Sequence, residues 1–322
     1  MEYTQSEVVK QQALTASTTY PFDLGIQGLS FLWIDITELQ NAANTSVEPD
    51  DVLAAISSIN VTVGGANIIS GRAKDLMRIG SIIAGVPPSV SFAANATNAE
   101  THVSFFLPFG RYLFDTKEGY PAVKRGMLQI AITAAAAFTP GKTVKVSIHQ
   151  VEVPGNTFGR YNKYTMRTAT PASTGLNDIP LPIGNWLRGV YAAGSTLYRD
   201  SNSMGSFNQT LLMVDNTEKY WTGGITGHAN HQAIARMRQN PAWMPHRHIS
   251  DVGAAYAQFQ STDPAQVDQT PIEAFSAWLD LDPRRDDAFT LETSGKNLLS
   301  LRLDMAIAEQ VWVYAYESVR SQ

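Results

Sequence analysis

Met127-Leu-Gln-Ile-Ala-Ile-Thr133 and, past a small-residue run and a turn at Thr139-Pro-Gly-Lys142, Val144-Lys-Val-Ser-Ile-His-Gln-Val-Glu-Val153 decide the fold class of this chain. Apolar side chains recur at every second position on both sides of the turn, the period of a strand with one buried face. Pro140-Gly141 supplies the preset φ and the permissive residue that a tight reversal needs. The pattern predicts a long antiparallel hairpin. Near the C-terminus, Leu299-Ser-Leu-Arg-Leu-Asp-Met-Ala-Ile307 and Val311-Trp-Val-Tyr-Ala-Tyr-Glu-Ser-Val319 repeat the two alternating runs with a shorter join. One β-domain plan is used twice.

Working outward, the two halves share more than their last strands. Tyr20-Pro21…Leu24-Gly25 is answered by Ile179-Pro180…Ile183-Gly184, each opening a strand. Ala73-Lys-Asp-Leu-Met-Arg78 is answered by Ala233-Ile-Ala-Arg-Met-Arg238, and Ser104-Phe-Phe-Leu-Pro-Phe109 by Ser276-Ala-Trp-Leu-Asp-Leu281. These likenesses fall in the same order along the chain, which predicts a duplication. The expected divisions are an arm over 1–19, a first unit over 20–153, a connection over 154–178 holding a strand, and a second unit over 179–322.

Within the first half, Leu29–Ile36, Ile59–Val63, Val103–Leu107 and Arg111–Phe114 read as strands, and Gly64-Gly65 as a hairpin turn. Pro49 opens a short helix with Val52, Leu53 and Ile56 on one face. Gly71–Ile83 reads as a helix with Leu76, Met77, Ile79 and Ile83 as its buried stripe, and Gly227–Gln239 as its counterpart. The polar arm predicts a short helix from Ser6 to Ala16 that needs a partner to be ordered. Its contact residues are Tyr3, Val8, Val9 and Leu14.

A chain of 322 residues suits two domains of roughly 150. The net charge of −5 gives no electrostatic reason for nucleic-acid binding. Cysteine is absent, so disulfides and thiolate metal sites are excluded. Charged residues make up 16%, which suits a surface covered by neighbours. The first residues have neither a basic region nor an apolar core, so no secretory signal is expected there. The longest small apolar run, Ala134 to Phe138, is too short to span a bilayer.

Each half holds about seven or eight short strands between Gly/Pro/Asn-rich turns, with a helix inserted mid-domain, which means a sandwich or barrel. A repeat of roughly 160 residues is too long for propeller blades or solenoids. The fold class is all-β with a few short helices: two consecutive eight-stranded jelly rolls. Two such rolls in one acidic, cysteine-free chain, with a polar arm and a helix in a long loop of each, resemble the double jelly-roll major capsid proteins of icosahedral viruses with an internal membrane. The compact size is most similar to bacteriophage members such as the capsid protein of the lipid-containing single-stranded-DNA phage of Flavobacterium. The resemblance implies a structural protein of the virion, not an enzyme, without a cofactor. It implies a homotrimer forming a pseudo-hexagonal capsomer among neighbouring capsomers and minor capsid proteins. With Glu2 and Glu7 against Lys10 the arm has no cationic surplus, so a weak contact with the viral membrane is expected, and no direct nucleic acid.

Two other function classes stand beside this one. A carbohydrate- or receptor-binding β-sandwich, such as a spike module, needs clustered exposed aromatics with carboxylates on one face. A cupin-like metal enzyme would use His228 and His231, three apart on a helix, with His246 and His248 on one strand face. No Glu lies within several residues downstream to complete such a motif, and the bland reading is solvent-facing histidines. Asp280, Asp282, Asp286 and Asp287 could bind calcium at an interface or form a plain solvated loop. Gly141-Lys-Thr143 has alanine at 136 and a strand after it, so it cannot cradle a phosphate. The pairs Arg284-Arg285 and Lys124-Arg125 read as salt-bridged or solvated, and Tyr112, Trp186, Trp221, Trp243 and Trp278 as core or inter-subunit packing rather than carbohydrate platforms.

Overall fold

The computed structural model describes residues 2–40, 49–86, 88–91, 100–138, 142–171, 173–194, 207–223, 249–251, 256–258 and 276–321. It divides into two compact units, Met1–Thr165 with Val319–Gln322, and Met166–Ser318. Unit 1 runs through β1 (Thr4–Ala13), β2 (Thr19–Asp23), β3 (Leu29–Gln40), α1 (Pro49–Ala54), β4 (Ile56–Val63) and β5 (Ala66–Gly71). It continues with α2 (Ala73–Ala84), β6 (Ser89–Ser91), β7 (Glu100–Pro108), β8 (Leu128–Ala134), β9 (Lys142–Glu152) and β10 (Arg160–Ala169), whose last residues belong to unit 2. One sheet has the order β1-β9-β3-β7-β6, and the other runs β10-β5-β4-β8-β2. The chain passes from one sheet to the other at almost every connection, which is the jelly-roll path.

That path corrects the expected hairpin. β8 pairs with β4 and β2, while β9 pairs with β3 and β1 in the other sheet. Alternation reports that a segment has one buried face; it carries no information about which strand lies beside it. The turn residues 139–141 lie outside the described residues. The later runs behave alike, one in each of two sheets.

In unit 2, β11 (Gly175–Pro180), β12 (Trp186–Ala193), β13 (Phe207–Val214) and β14 (Thr217–Gly223) are followed by a small pair, β15 (Ile249–Asp251) and β16 (Tyr256–Gln258). Then come β17 (Ser276–Asp280), β18 (Leu291–Glu292), β19 (Leu299–Met305) and β20 (Val311–Arg320). One sheet has the order β11-β19-β13-β14, and β12 lies between β17 and β20 in the other. The pairings β11·β19, β12·β17, β12·β20, β13·β14 and β13·β19 repeat β2·β8, β3·β7, β3·β9, β4·β5 and β4·β8, all antiparallel. The turns repeat as well. Gly64-Gly65 and Asp215-Asn216 both close two-residue hairpins with positive φ, 53° and 86° against 49° and 61°. The expected likeness of Tyr20-Pro21 to Ile179-Pro180 is correct in strand and wrong in rung. Val63 faces Leu128 and Val214 faces Leu299, which places Pro180 level with Asp23. The segment 233–238 and the expected helix at 227–239 lie outside the described residues.

Two further expectations are corrected, and one about the connection is extended. Residues 4–13, read as an arm with a helix, form β1, paired with β9 from Thr4↔Glu152 to Ala13↔Lys145. Polar, half-exposed edge strands look like arms in sequence because only one of their faces and one of their edges is used. The stretch 154–178, read as a connection holding a strand, does hold one, β10, which pairs in parallel with β5 at Tyr164↔Ile69, and it also contains the start of β11. Arg111–Phe114 is a bend followed by a turn, with Phe114 at φ 60°, where a strand was expected.

The helix α2 closes the open flank of unit 1, packing on β7 of one sheet and on β4 and β5 of the other. Its stripe Leu76, Met77, Ile79 and Ile83 is buried as the spacing predicts. Among the described residues β6 pairs with His102–Ser104 of β7, and beyond it Gly80 sits against the next stretch of that strand. A Cβ at Gly80 would lie 2.0 Å from the Phe106 carbonyl oxygen, so no other residue permits this approach. The core of unit 2 is formed by Leu187, Val190, Leu212, Leu279, Leu301, Leu303, Val313 and their neighbours.

Candidate assembly surfaces

The equivalent rungs expose equivalent apolar residues. Leu24 and Leu181 each donate their backbone N–H to the first residue of the next-but-several strand, Leu128 and Leu299, at 3.0 and 2.8 Å. Two residues further on, Ile26 and Ile183 stand 47% and 48% exposed. Gly64 and Asp215, at the hairpin turns, donate to the carbonyls of Met127 and Leu298 at 3.0 and 2.9 Å. Met127 and Leu298 are exposed as well. Exposed side chains of this size are unremarkable singly, but here the same two rungs carry them in both units. In unit 1, the exposed Tyr112 and Phe114 lie in the same β7–β8 connection as Met127, with exposed Lys117, Lys124 and Arg125.

The connections that carry these residues are held differently. Phe109 and Leu281 donate to the carbonyls of Ser30 and Arg188, both at 2.9 Å, so Ser30 and Arg188 occupy one position of the plan. Ser30 Oγ accepts from the Phe114 N–H at 3.0 Å. The guanidinium of Arg188, wholly buried, lies 3.9 Å from Asp282 and 3.3 Å from Asp287. Asp287 in turn donates its N–H to Asp282 at 3.0 Å, and Asp282 donates to Asp280 at 2.9 Å. The acidic group is therefore neither a plain solvated loop nor an open calcium cradle: Asp282 and Asp287 face an internal cation. Arg284 pairs with Asp286 on the surface at 2.8 Å. In unit 1, the buried Arg111 and Glu118 meet at 3.4 Å.

A third surface is the outer face of the β9-β3-β7 sheet. Trp33 stands opposite Phe106 on one side and His149 on the other. Its ring centroid is 6.0 Å from that of Phe106 and 5.4 Å from that of His149. All three are half-buried, while the alternating Leu32, Ile34, Phe105 and Ile148 fill the core. Phe31 extends the row to Phe106 at 5.4 Å and to Phe114 at 5.0 Å, and Tyr3 lies on Phe114 at 4.9 Å.

The residues expected to form the arm surface are separated by this arrangement. Tyr3 is exposed beside Phe114, Val8 and Val9 are half-buried in β1, and Leu14 is buried with its N–H on the Val144 carbonyl at 2.9 Å. His228, His231, His246 and His248 lie outside the described residues, as do Trp243 and the Ala233–Arg238 segment. Among the described residues, no group of three or more His, Cys, Asp or Glu is placed to hold a metal. Trp278 packs in the interior, and Tyr112 is exposed, where its reading leaves inter-subunit packing. Tyr120 is buried, and that burial, with Tyr161 beside it, pushes its phenol up to about 12, so it stays neutral. The repeated surface residues could have been found from the sequence only with the register in hand.

No protein-family model matches this chain, and no curated protein matches it in sequence. Its structure is similar to the major capsid protein of Sulfolobus turreted icosahedral virus, with a TM-score of 0.69 at 11% identity over 99% of this chain and 96% of that one. The major capsid protein P2 of bacteriophage PM2 matches with a TM-score of 0.61 at 12% identity, over 100% of this chain and 98% of its own. The PBCV-1 virus capsid chain gives 0.60 at 9%, over 99% and 94%. The chain has the double jelly-roll fold. At these identities the likeness is one of fold, spanning both units without a remainder.

Proposed function

We propose that the protein is a major capsid protein: a structural subunit that assembles as trimeric, pseudo-hexagonal capsomers into an icosahedral shell over an internal membrane. The observation that carries this reading is the duplication itself, five strand pairings repeated in one chain, four of them in the same register throughout. Three copies of a doubled module supply six similar wedges, so a three-fold object can sit among six neighbours. End-to-end likeness in fold to viral capsid chains supports it. The compact size is that of the phage members, such as the lipid-containing single-stranded-DNA phage of Flavobacterium. Neighbouring capsomers and minor capsid proteins are the partners, and the virion is the location.

The residues that meet a membrane in this reading are Ile26, Met127, Ile183 and Leu298, with Lys124 and Arg125 beside Met127, in place of the arm. Apolar side chains next to cations suit the boundary between acyl chains and anionic headgroups. Sedimentation of the purified protein tests the assembly reading. A trimer at micromolar concentration is expected; a monomer there overturns it. The carbohydrate-binding reading has one observation in its favour, Trp33 and Phe106 near Asp35 on one face, and glycan-array binding by a monomer would bring it forward. The histidines of the metal-enzyme reading are tested by metal content measured by mass spectrometry, expected to be nil.

A further inference from the structure

The outer face of an antiparallel sheet ordinarily carries polar side chains, because only one face is packed on the core. Unit 1 departs from this with the row Trp33, Phe106 and His149. In unit 2 the rungs Tyr191↔Trp278 and Tyr191↔Tyr314 occupy the same place in the same pairings. That assignment agrees with the sequence likeness of Ser104-Phe-Phe106 to Ser276-Ala-Trp278. Tyr191, Trp278 and Tyr314 are each 1% exposed, so the chain encloses this second row itself. Tyr191 and Tyr314 hold an edge-on contact at 5.8 Å, as Trp33 and His149 hold a tilted one at 5.4 Å. The plan thus places a three-ring row on the same face twice and closes it once.

We propose that the Trp33–Phe106–His149 row is closed by a second copy of this chain. The inference rests on the reading of the protein as a self-assembling shell subunit and names the surface that reading leaves open. The closed row shows that protein surface of this chain is a suitable cover. The polar groups around the open row point to the same kind of occupant. Ser104 Oγ donates to Asp35 at 2.7 Å, and Thr37 Oγ1 lies 2.9 Å from His102 Nδ1, so these groups are satisfied within the sheet. A sugar would need them as hydrogen-bonding partners; a neighbouring subunit needs only the ring surface. Trp and Phe are the residues that anchor such contacts, filling desolvated positions near the centre of an interface.

Two measurements on the full chain decide it. Replacing Trp33→Ser and Phe106→Ser together is expected to raise the subunit dissociation constant by about 30-fold or more, as the loss of a buried aromatic anchor does. Circular dichroism and the thermal melt should stay cooperative, since both side chains are only half-buried. If the double variant does not fold, the second measurement stands alone. The chain has no cysteine, so a single one is an unambiguous reporter. With His149→Cys, maleimide labelling is expected to be at least about 10-fold slower in assembled than in dissociated protein, while Thr19→Cys on the exposed β2 edge labels equally in both. Equal rates at His149→Cys, with wild-type trimers present, overturn the surface and leave the shell reading standing. Wild-type protein that never associates overturns both.

Discussion

Ser30 and Arg188 occupy one position of a repeated plan, yet one holds its loop with a hydroxyl and the other with a buried charge. Around each, the backbone is the same: a strand carbonyl accepts from Phe109 or Leu281 at 2.9 Å. The loop in unit 1 is fixed by a neutral bond to the Phe114 N–H, and that in unit 2 by Asp282 and Asp287 around a wholly buried guanidinium. What the two units share is therefore the part set by apolar rungs and two-residue turns, and what they vary is the chemistry that fastens loops to it. The same division separates the half-open Trp33 row from the closed Tyr191 row.

The largest effect is expected from removing residues 2–14. If β1 is part of unit 1, its loss strips the partner from Lys145–Glu152 of β9 and abolishes the cooperative melt of that unit, while unit 2 retains its own amide protection in hydrogen exchange. Folded trimers after this deletion would restore the arm that the structure replaces. Next in size, Met77→Asp buries an unpaired charge on α2, and Gly80→Leu drives a side chain into the Phe106 carbonyl. Each is expected to cost about 3–5 kcal/mol in urea melts of unit 1.

The comparison of anchors sharpens at the next level. Arg188→Ala leaves Asp282 buried without its cation, at a cost of about 3–5 kcal/mol. Ser30→Ala removes one neutral bond, at about 1 kcal/mol. Equal costs would mean that the two positions are not doing the same task by different means. The smallest effect belongs to the partly exposed Asp178–Arg302 pair, bidentate at 2.7 and 2.8 Å. The hydrogen bond from Arg302 holds the Asp178 carboxyl below its usual range; burial opposes it, and the charge of Arg302 adds a smaller lowering effect. Its contribution is present above the unfolded carboxylate range and is lost as the pH falls through the lowered folded value. Arg302→Met should therefore cost no more than about 0.5 kcal/mol near neutrality and nothing measurable in strong acid.

Much of the plan was legible because burial has a period. Val103–Leu107, Leu128–Thr133 and Leu299–Met305 alternate, and the stripe of α2 recurs at helical spacing, so the elements and the duplication could be read from one chain. Partners could not. Alternation in 127–133 and 144–153 is the same whether the two strands lie side by side or in opposite sheets, and only the structure separates them. β1 was hidden for a related reason: an edge strand with one half-buried face carries too few apolar residues to be told from a polar arm. The repeated exposure of Ile26 with Ile183 and Met127 with Leu298 needs the rungs before it becomes a pattern at all. Arg188 gave no signal, since a single arginine in an apolar run looks like a surface residue until the acids that enclose it are placed.

Electron cryo-microscopy of the purified, assembled protein tests the doubled shell subunit most directly. Class averages viewed along the three-fold axis are expected to show six similar lobes from three chains, alternating between two slightly different kinds. Particles without three-fold symmetry, or trimers with no six-lobed outline, would contradict it.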